Sequence, residues 1–342
     1  MPQPSPWIAS PLKDLWIVLP PFVVVAVALL FHTPLAEIES RYSWWTWLVL
    51  IVLVDVAHVY ASIFRTYLSP QAWAKQRTLF IGIPVLCLLL SMLLYQAGAA
   101  AFWSVLAYVA VFHFVRQQWG LMRLYSRLEP KTKLGSIVDA AVIYTATLYP
   151  MLYWMISADR QFVWFVDNEF VTLFSPQILP VLTALYVAIV VVYALRVAQQ
   201  WFTGRLFNVP KNLVIIGTFL SWYVGIVHYN HPLIFTLLNV VSHGVPYMAL
   251  VYFADISGKS RQFTGLGRLL SWQGLAVYLA VLLGLAVFEE SLWELAVWGE
   301  HFSDEFLLDA QWLWLAVPLL ALPQLTHYVL DGFIWRRPRT KT

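Results

Sequence analysis

The feature that most constrains this chain is a series of ten predominantly apolar runs, most of them close to the roughly 20 residues a helix needs to cross hydrocarbon. They fall at about 15–31, 43–64, 79–96, 101–122, 136–156, 178–197, 212–228, 232–254, 271–288 and 311–333. Inside a bilayer every backbone N–H and C=O must find its partner within the protein. The runs therefore predict an all-α, polytopic transmembrane helix bundle of about ten spans. Composition agrees, because 61% of residues are apolar and 11% are charged, against about 25% charged in an ordinary soluble domain. The 18 Trp, 17 Tyr and 21 Phe fit aromatic belts at two membrane interfaces, with Trp44, Trp45 and Trp47 clustered at one segment end.

The loops test the count separately, since cytoplasmic loops concentrate Lys and Arg. Arg65, Lys75 and Arg77 follow the second run; Arg123, Arg127, Lys131 and Lys133 the fourth; Arg196, Arg205 and Lys211 the sixth; Lys259, Arg261 and Arg268 the eighth. Arg336, Arg337, Arg339 and Lys341 close the chain. The alternate loops hold Arg41 and Arg160 among many acidic residues, including Glu37, Glu39, Asp159, Asp167, Glu289, Glu290 and Glu294. This alternation places both termini in the cytoplasm. The positive charges read as topology signals, so nucleic-acid binding is excluded as a reading of the +3 net charge. The N-terminus lacks the pattern of a removable signal peptide, and the expected location is a bacterial inner membrane. One membrane domain over residues 1–342 is expected, with an amphipathic helix near 289–310 on the outer surface. Cys87 stands alone in the chain and offers no disulfide or thiolate cluster.

Four histidines interrupt separate apolar runs: His58 in LVDVAHVYASIF, His113 in VAVFHFVRQQWG, His243 in LLNVVSHGVPYM and His327 in LPQLTHYVLDGF. Ionisable residues inside spans are costly and usually functional. At 1.5 Å per residue they lie about 10, 15, 18 and 13 Å from the basic ends or the polar residue closing their spans, a common layer in the cytoplasmic half. Each has a polar neighbour one helical turn away: Asp55 for His58, Arg116 and Gln117 for His113, Asn239 for His243 and Asp331 for His327. A metal-bound histidine usually donates its second ring N–H to a carboxylate or other acceptor, so Asp55 and Asp331 are either orienting partners or direct ligands. The set suits Fe(II) first, with Zn(II) or Mn(II) also possible, rather than copper(I). Arg116 would pair with one of the aspartates or await an anionic head group. Gln117 and Asn239 would contact substrate. His228 and His231, spaced H-x-x-H at the outer end of the seventh and eighth runs, form a weaker metal-binding pair. His32 and His301 read as incidental, and Asp139 either faces neighbouring helices or lines the same cavity as the histidines.

With four histidines from different helices, the chain resembles at class level the histidine-rich integral-membrane non-haem iron enzymes. It carries neither the H-x(3,4)-H nor the H-x-x-H-H boxes of desaturases and alkane hydroxylases. In architecture it is more similar to the bacterial Brp/Blh-type carotene dioxygenases. That resemblance implies one iron held by His58, His113, His243 and His327 in a multi-helix bundle. The expectation is a membrane metalloenzyme, an oxygenase or related oxidoreductase of lipid metabolism acting on a lipid, isoprenoid or carotenoid. Three alternatives stay open from the residues: a proton-coupled transporter using the Asp and His side chains, a haem protein with two axial histidines, and a metal-independent transferase with a histidine base.

Overall fold

The computed structural model describes residues 5–38, 43–130, 132–157, 163–173, 175–203, 207–257, 271–302 and 304–335. Of the residues named above, Glu39, Arg41, Lys131, Asp159, Arg160, Arg205, Lys259, Arg261, Arg268, Arg336, Arg337, Arg339 and Lys341 lie outside the described residues.

The described chain is helical throughout its ordered elements, as its apolar runs require. Three short helices, α1 (Pro11–Val18), α2 (Pro20–Leu30) and α3 (His32–Glu37), open it. Nine helices long and apolar enough to cross a membrane follow. They are α4 (Trp44–Arg65), α5 (Pro70–Ala97), α6 (Ala99–Tyr125), α7 (Lys133–Ile156), α8 (Pro176–Phe202), α9 (Val209–His228), α10 (Pro232–Ile256), α11 (Trp272–Trp298) and α12 (Ala310–Ile334). Helices α1 and α2 meet at 51° and bring the number to ten if they form one broken span. The break falls where Pro20 and Pro21 remove two backbone donors, and Ser10 caps α1 by accepting from Lys13 N. The protein is an all-α, multi-pass membrane protein.

By internal contacts the chain divides into two compact units. The first comprises residues 1–40, 114–164 and 170–246; the second comprises 41–113, 165–169 and 247–342. The boundary falls inside two continuous helices, in α6 after His113 and in α10 after Pro246.

In the first unit α9 packs on α2 and α7, and α7 packs on α8. Gly217 of α9 makes the first contact possible: a Cβ there would stand 3.1 Å from the Pro21 side chain. A buried charged network ties the same helices together. Lys211 Nζ donates to Asp139 and to Glu129, each at 2.8 Å, while Arg196 donates to Asp139 at 2.9 Å.

In the second unit α11 packs along α4, and α12 packs on α4 and α5. Tyr247, Val251 and Tyr278 fill its core with Ala57, Ala61 and Phe64. Residues 289–298, the first part of the segment expected to form a surface helix near 289–310, belong to α11. The α11 helix continues to Trp298, Gly299 ends it with φ of 62°, and residues 304–306 form one short 3-10 turn. Glu289, Glu290 and Glu294 are buried instead of facing water. Each has a donor that repays its burial: Tyr60 Oη for Glu289, Trp47 Nε1 at 3.3 Å for Glu290, and the backbone N–H groups of Glu300 and His301 for Glu294.

Candidate metal centre

His58, His113, His243 and His327 are 1–3% exposed, and a ring nitrogen from each lies within 4.8 Å of those from the other three. They come from α4, α6, α10 and α12. The group has the donors and the spacing to hold a metal ion, since four neutral imidazoles are a common set for first-row divalent metals.

Each ring is positioned by its own surroundings. In the second unit the rings of His58 and His327 stand 5.1 Å apart at 80°, and those of His113 and His327 stand 4.7 Å apart at 64°. Edge-to-face contact lets several rings crowd one region while their nitrogens converge. Tyr247 walls the group, 6.1 Å from His58 and 5.0 Å from His327, and Tyr328 stacks on His113 at 4.7 Å. In the first unit His243 lies flat on Phe114, with ring centroids 3.6 Å apart at 9°. Its carbonyl accepts from Gln117 Nε2 at 2.8 Å, which ties α10 to α6 one turn beyond His113.

Local backbone geometry contributes as well. Residues 47–56, immediately before His58, have π-helical geometry, a wider winding that is rare and recurs at functional sites. It sets the register in which Asp55 and His58 share one side of α4.

Asp55 and Asp331 stand beside the histidines. Asp55 Oδ1 is 3.7 Å from Nδ1 of His58, and Asp331 Oδ1 is 3.9 Å from Nδ1 of His327. Asp331 also accepts a 2.5 Å hydrogen bond from Tyr247. Neither carboxylate belongs to the group whose donor atoms converge. At these separations neither carboxylate accepts a hydrogen bond from its imidazole, but each stands on the Nδ1 side, where a carboxylate could orient a ligand bound through its other nitrogen.

A fit test comes from unsatisfied polar atoms. Neither Nδ1 nor Nε2 of His327 has a hydrogen-bond partner among the described residues, and both are buried. Leaving a buried polar atom unbonded costs about 1–3 kcal/mol, and a coordinated ion would satisfy one of these two nitrogens. The four-histidine group fits a metal.

Other expected site residues fall elsewhere. Arg116 is exposed on α6, on the side of exposed Phe112, and donates to Tyr144 at 2.6 Å. It pairs with neither Asp55 nor Asp331 among the described residues. Asn239 is buried and donates to the Phe235 carbonyl at 2.9 Å, one turn before His243. His228 is exposed and His231 half-buried; neither joins a convergent metal-binding group. His301, read as incidental, stacks on Trp47 at 4.7 Å and sits 3.0 Å from the Glu294 carboxylate. Glu294, Glu300 and His301 also converge. There the Glu294 carboxylate already accepts two backbone N–H groups, and the arrangement closes the turn after α11. Sequence reasoning missed Phe114, Tyr247 and Tyr328. Tyr247 had a usable signal, four residues after His243 and so on the same helix side.

Fold and site together define a multi-pass helical membrane protein with a buried four-histidine group able to bind a metal. No protein family matches the chain, and no curated protein or solved structure does so either.

Proposed function

We propose that the protein is a membrane metalloenzyme, a non-haem iron oxygenase or related oxidoreductase, acting on a lipid, isoprenoid or carotenoid within the bilayer. The observation that carries this reading is the convergence of four buried histidine nitrogens within 4.8 Å of one another. All four protein ligands are then nitrogen, and bound Fe(II) would supply an open coordination position for an oxidant or substrate oxygen.

The chain's own residues do the rest. Tyr247, Tyr328 and Phe114 keep water from the imidazoles by covering their faces, as exclusion of water from reactive intermediates requires. Asp55 and Asp331, beside Nδ1 of His58 and His327, would orient these rings by closing to hydrogen-bond distance if the ion were held through the other ring nitrogen. Tyr247 in turn fixes Asp331. The substrate is apolar because the site lies within membrane-spanning helices and reaches its reactants from the lipid phase.

The geometry favours a single ion over haem, since a macrocycle between two axial histidines would need the space that the other two occupy. In this reading both termini face the cytoplasm of a bacterial inner membrane, in keeping with the loop charges.

The test is oxygen chemistry with a labelled oxidant. Iron-loaded protein in nanodiscs, given isoprenoid and carotenoid substrates under ¹⁸O₂, is expected to incorporate label into product, and His113→Ala protein is not. Product without label, or equal yield from both proteins, would overturn the proposal.

A further inference from the structure

A cavity of about 210 Å³ opens at the basic end of the second unit, where α4 ends and α5 begins. Arg65, Gln71, Lys75 and Gln76 supply its polar lining, and the buried side chains of Phe80 and Ile334 supply an apolar part. The α5 backbone leaves helical geometry at Gln76, with φ −132° and ψ 21°. This break separates the turn carrying Gln71 and Lys75 from the membrane-embedded length of α5.

Arg65 is held in place before any ligand arrives. Its Nη1 bonds both carboxylate oxygens of Asp255 at 2.8 Å, its Nε donates to the Ile334 carbonyl at 3.2 Å, and its guanidinium stacks 3.8 Å over Trp335. Nη2 makes no hydrogen bond among the described residues. Asp255 offsets the charge of Arg65, and exposed Lys75, which forms no ion pair among the described residues, adds a further positive charge. The residues lining the pocket include two cations, Arg65 and Lys75, and the amide donors of Gln71 and Gln76, with no carboxylate among them. A fixed guanidinium beside a flexible ammonium suits a phosphate, which accepts several charge-assisted hydrogen bonds. The apolar part suits a carbon stem attached to that phosphate. Basic pockets between transmembrane helices at this level take lipid head groups.

We propose that this cavity binds a phosphate-bearing ligand, with Arg65, Lys75, Gln71 and Gln76 as its donors. The inference goes beyond the histidine site and does not depend on it. The ligand is either an anionic phospholipid head group or a soluble phosphate ester.

Native mass spectrometry of the full chain in detergent tests the proposal. Phosphatidylglycerol and phosphatidylcholine are the lipid probes, and inorganic phosphate is the competitor. Lys75 is exposed, so its replacement leaves the packing intact. Wild-type protein is expected to retain one phosphatidylglycerol in preference to phosphatidylcholine. Lys75→Gln should weaken retention about fivefold, the equivalent of about 1 kcal/mol for one Lys near an anionic surface, and Lys75→Arg should restore it. Loss of phosphatidylglycerol to millimolar inorganic phosphate, in wild type alone, supports the site with a soluble phosphate as its ligand. Equal retention of the two lipids, or equal retention by wild type and Lys75→Gln, overturns it. Metal content measured on the same samples reads the histidine site separately.

Discussion

The Asp331 carboxylate stands 3.9 Å from Nδ1 of His327, and Tyr247 holds it there through a 2.5 Å hydrogen bond. His58 has the same relationship to Asp55 at 3.7 Å. Two of the four histidines therefore have a carboxylate beside Nδ1, placed to orient the ring of a ligand held through its other nitrogen. Asp331→Asn and Asp55→Asn are each expected to weaken metal affinity about 10–100-fold while leaving the fold intact, the usual range for orienting partners. Tyr247→Phe should act in the same direction and more weakly, since the carboxylate remains. Competition against a chelating dye measures all three.

Acid should strip the site. Ligation needs neutral imidazole, so metal binding releases protons and weakens as they compete for the ring nitrogens. Any stability that metal binding contributes is present where the imidazoles are neutral and is lost on acidification, because protons then take the ligating nitrogens. Metal content after dialysis at stepped pH is expected to drop cooperatively on acidification and to recover on reloading at neutral pH. Retention that does not vary with pH would point to ligands other than histidine.

Phe114 supports His243 by face-to-face stacking at 3.6 Å. Phe114→Ala removes that surface and leaves a cavity beside the ring, at a cost of about 3 kcal/mol in stability. Both a lower unfolding temperature and a weaker metal affinity are expected, whereas Phe114→Tyr should preserve the stack.

The Lys211–Asp139–Arg196 network makes a contrasting prediction. Lys211→Met leaves Asp139 buried with one of its two cations gone, and removing a partner from a buried ion pair costs about 3–5 kcal/mol. Thermal unfolding should fall sharply while the metal bound per folded chain stays the same. A parallel loss of metal would show that this network also shapes the histidine site.

Much of this fold was legible in the residues because hydrocarbon leaves so few choices. Run length alone located the nine helices long enough to cross a membrane among the described residues, and Pro20 and Pro21 marked the break between α1 and α2. The four histidines emerged together because topology converts position in a run into depth. Facing was harder to read. Arg116 lies three residues from His113, about 60° around the helix, and hydrophobicity cannot tell a lipid-facing side from an interior one when both are apolar. Glu289, Glu290 and Glu294 were assigned to the outer surface because they fall between apolar residues recurring at helical spacing, the pattern of an amphipathic surface helix. The donors that repay two of these burials, Tyr60 and Trp47, are 229 and 243 residues away in the chain. Asp139 and Lys211, 72 residues apart, were hidden for the same reason.

The most direct test is elemental analysis of detergent-purified protein, expressed without a metal-binding tag and loaded with Fe(II), beside the single variants His58→Ala, His113→Ala, His243→Ala and His327→Ala. Near-stoichiometric metal in the wild type, lost from each of the four variants and retained by His32→Ala, is the predicted result. Metal-free wild type after loading, or metal held equally by all six proteins, would contradict a four-histidine metal centre.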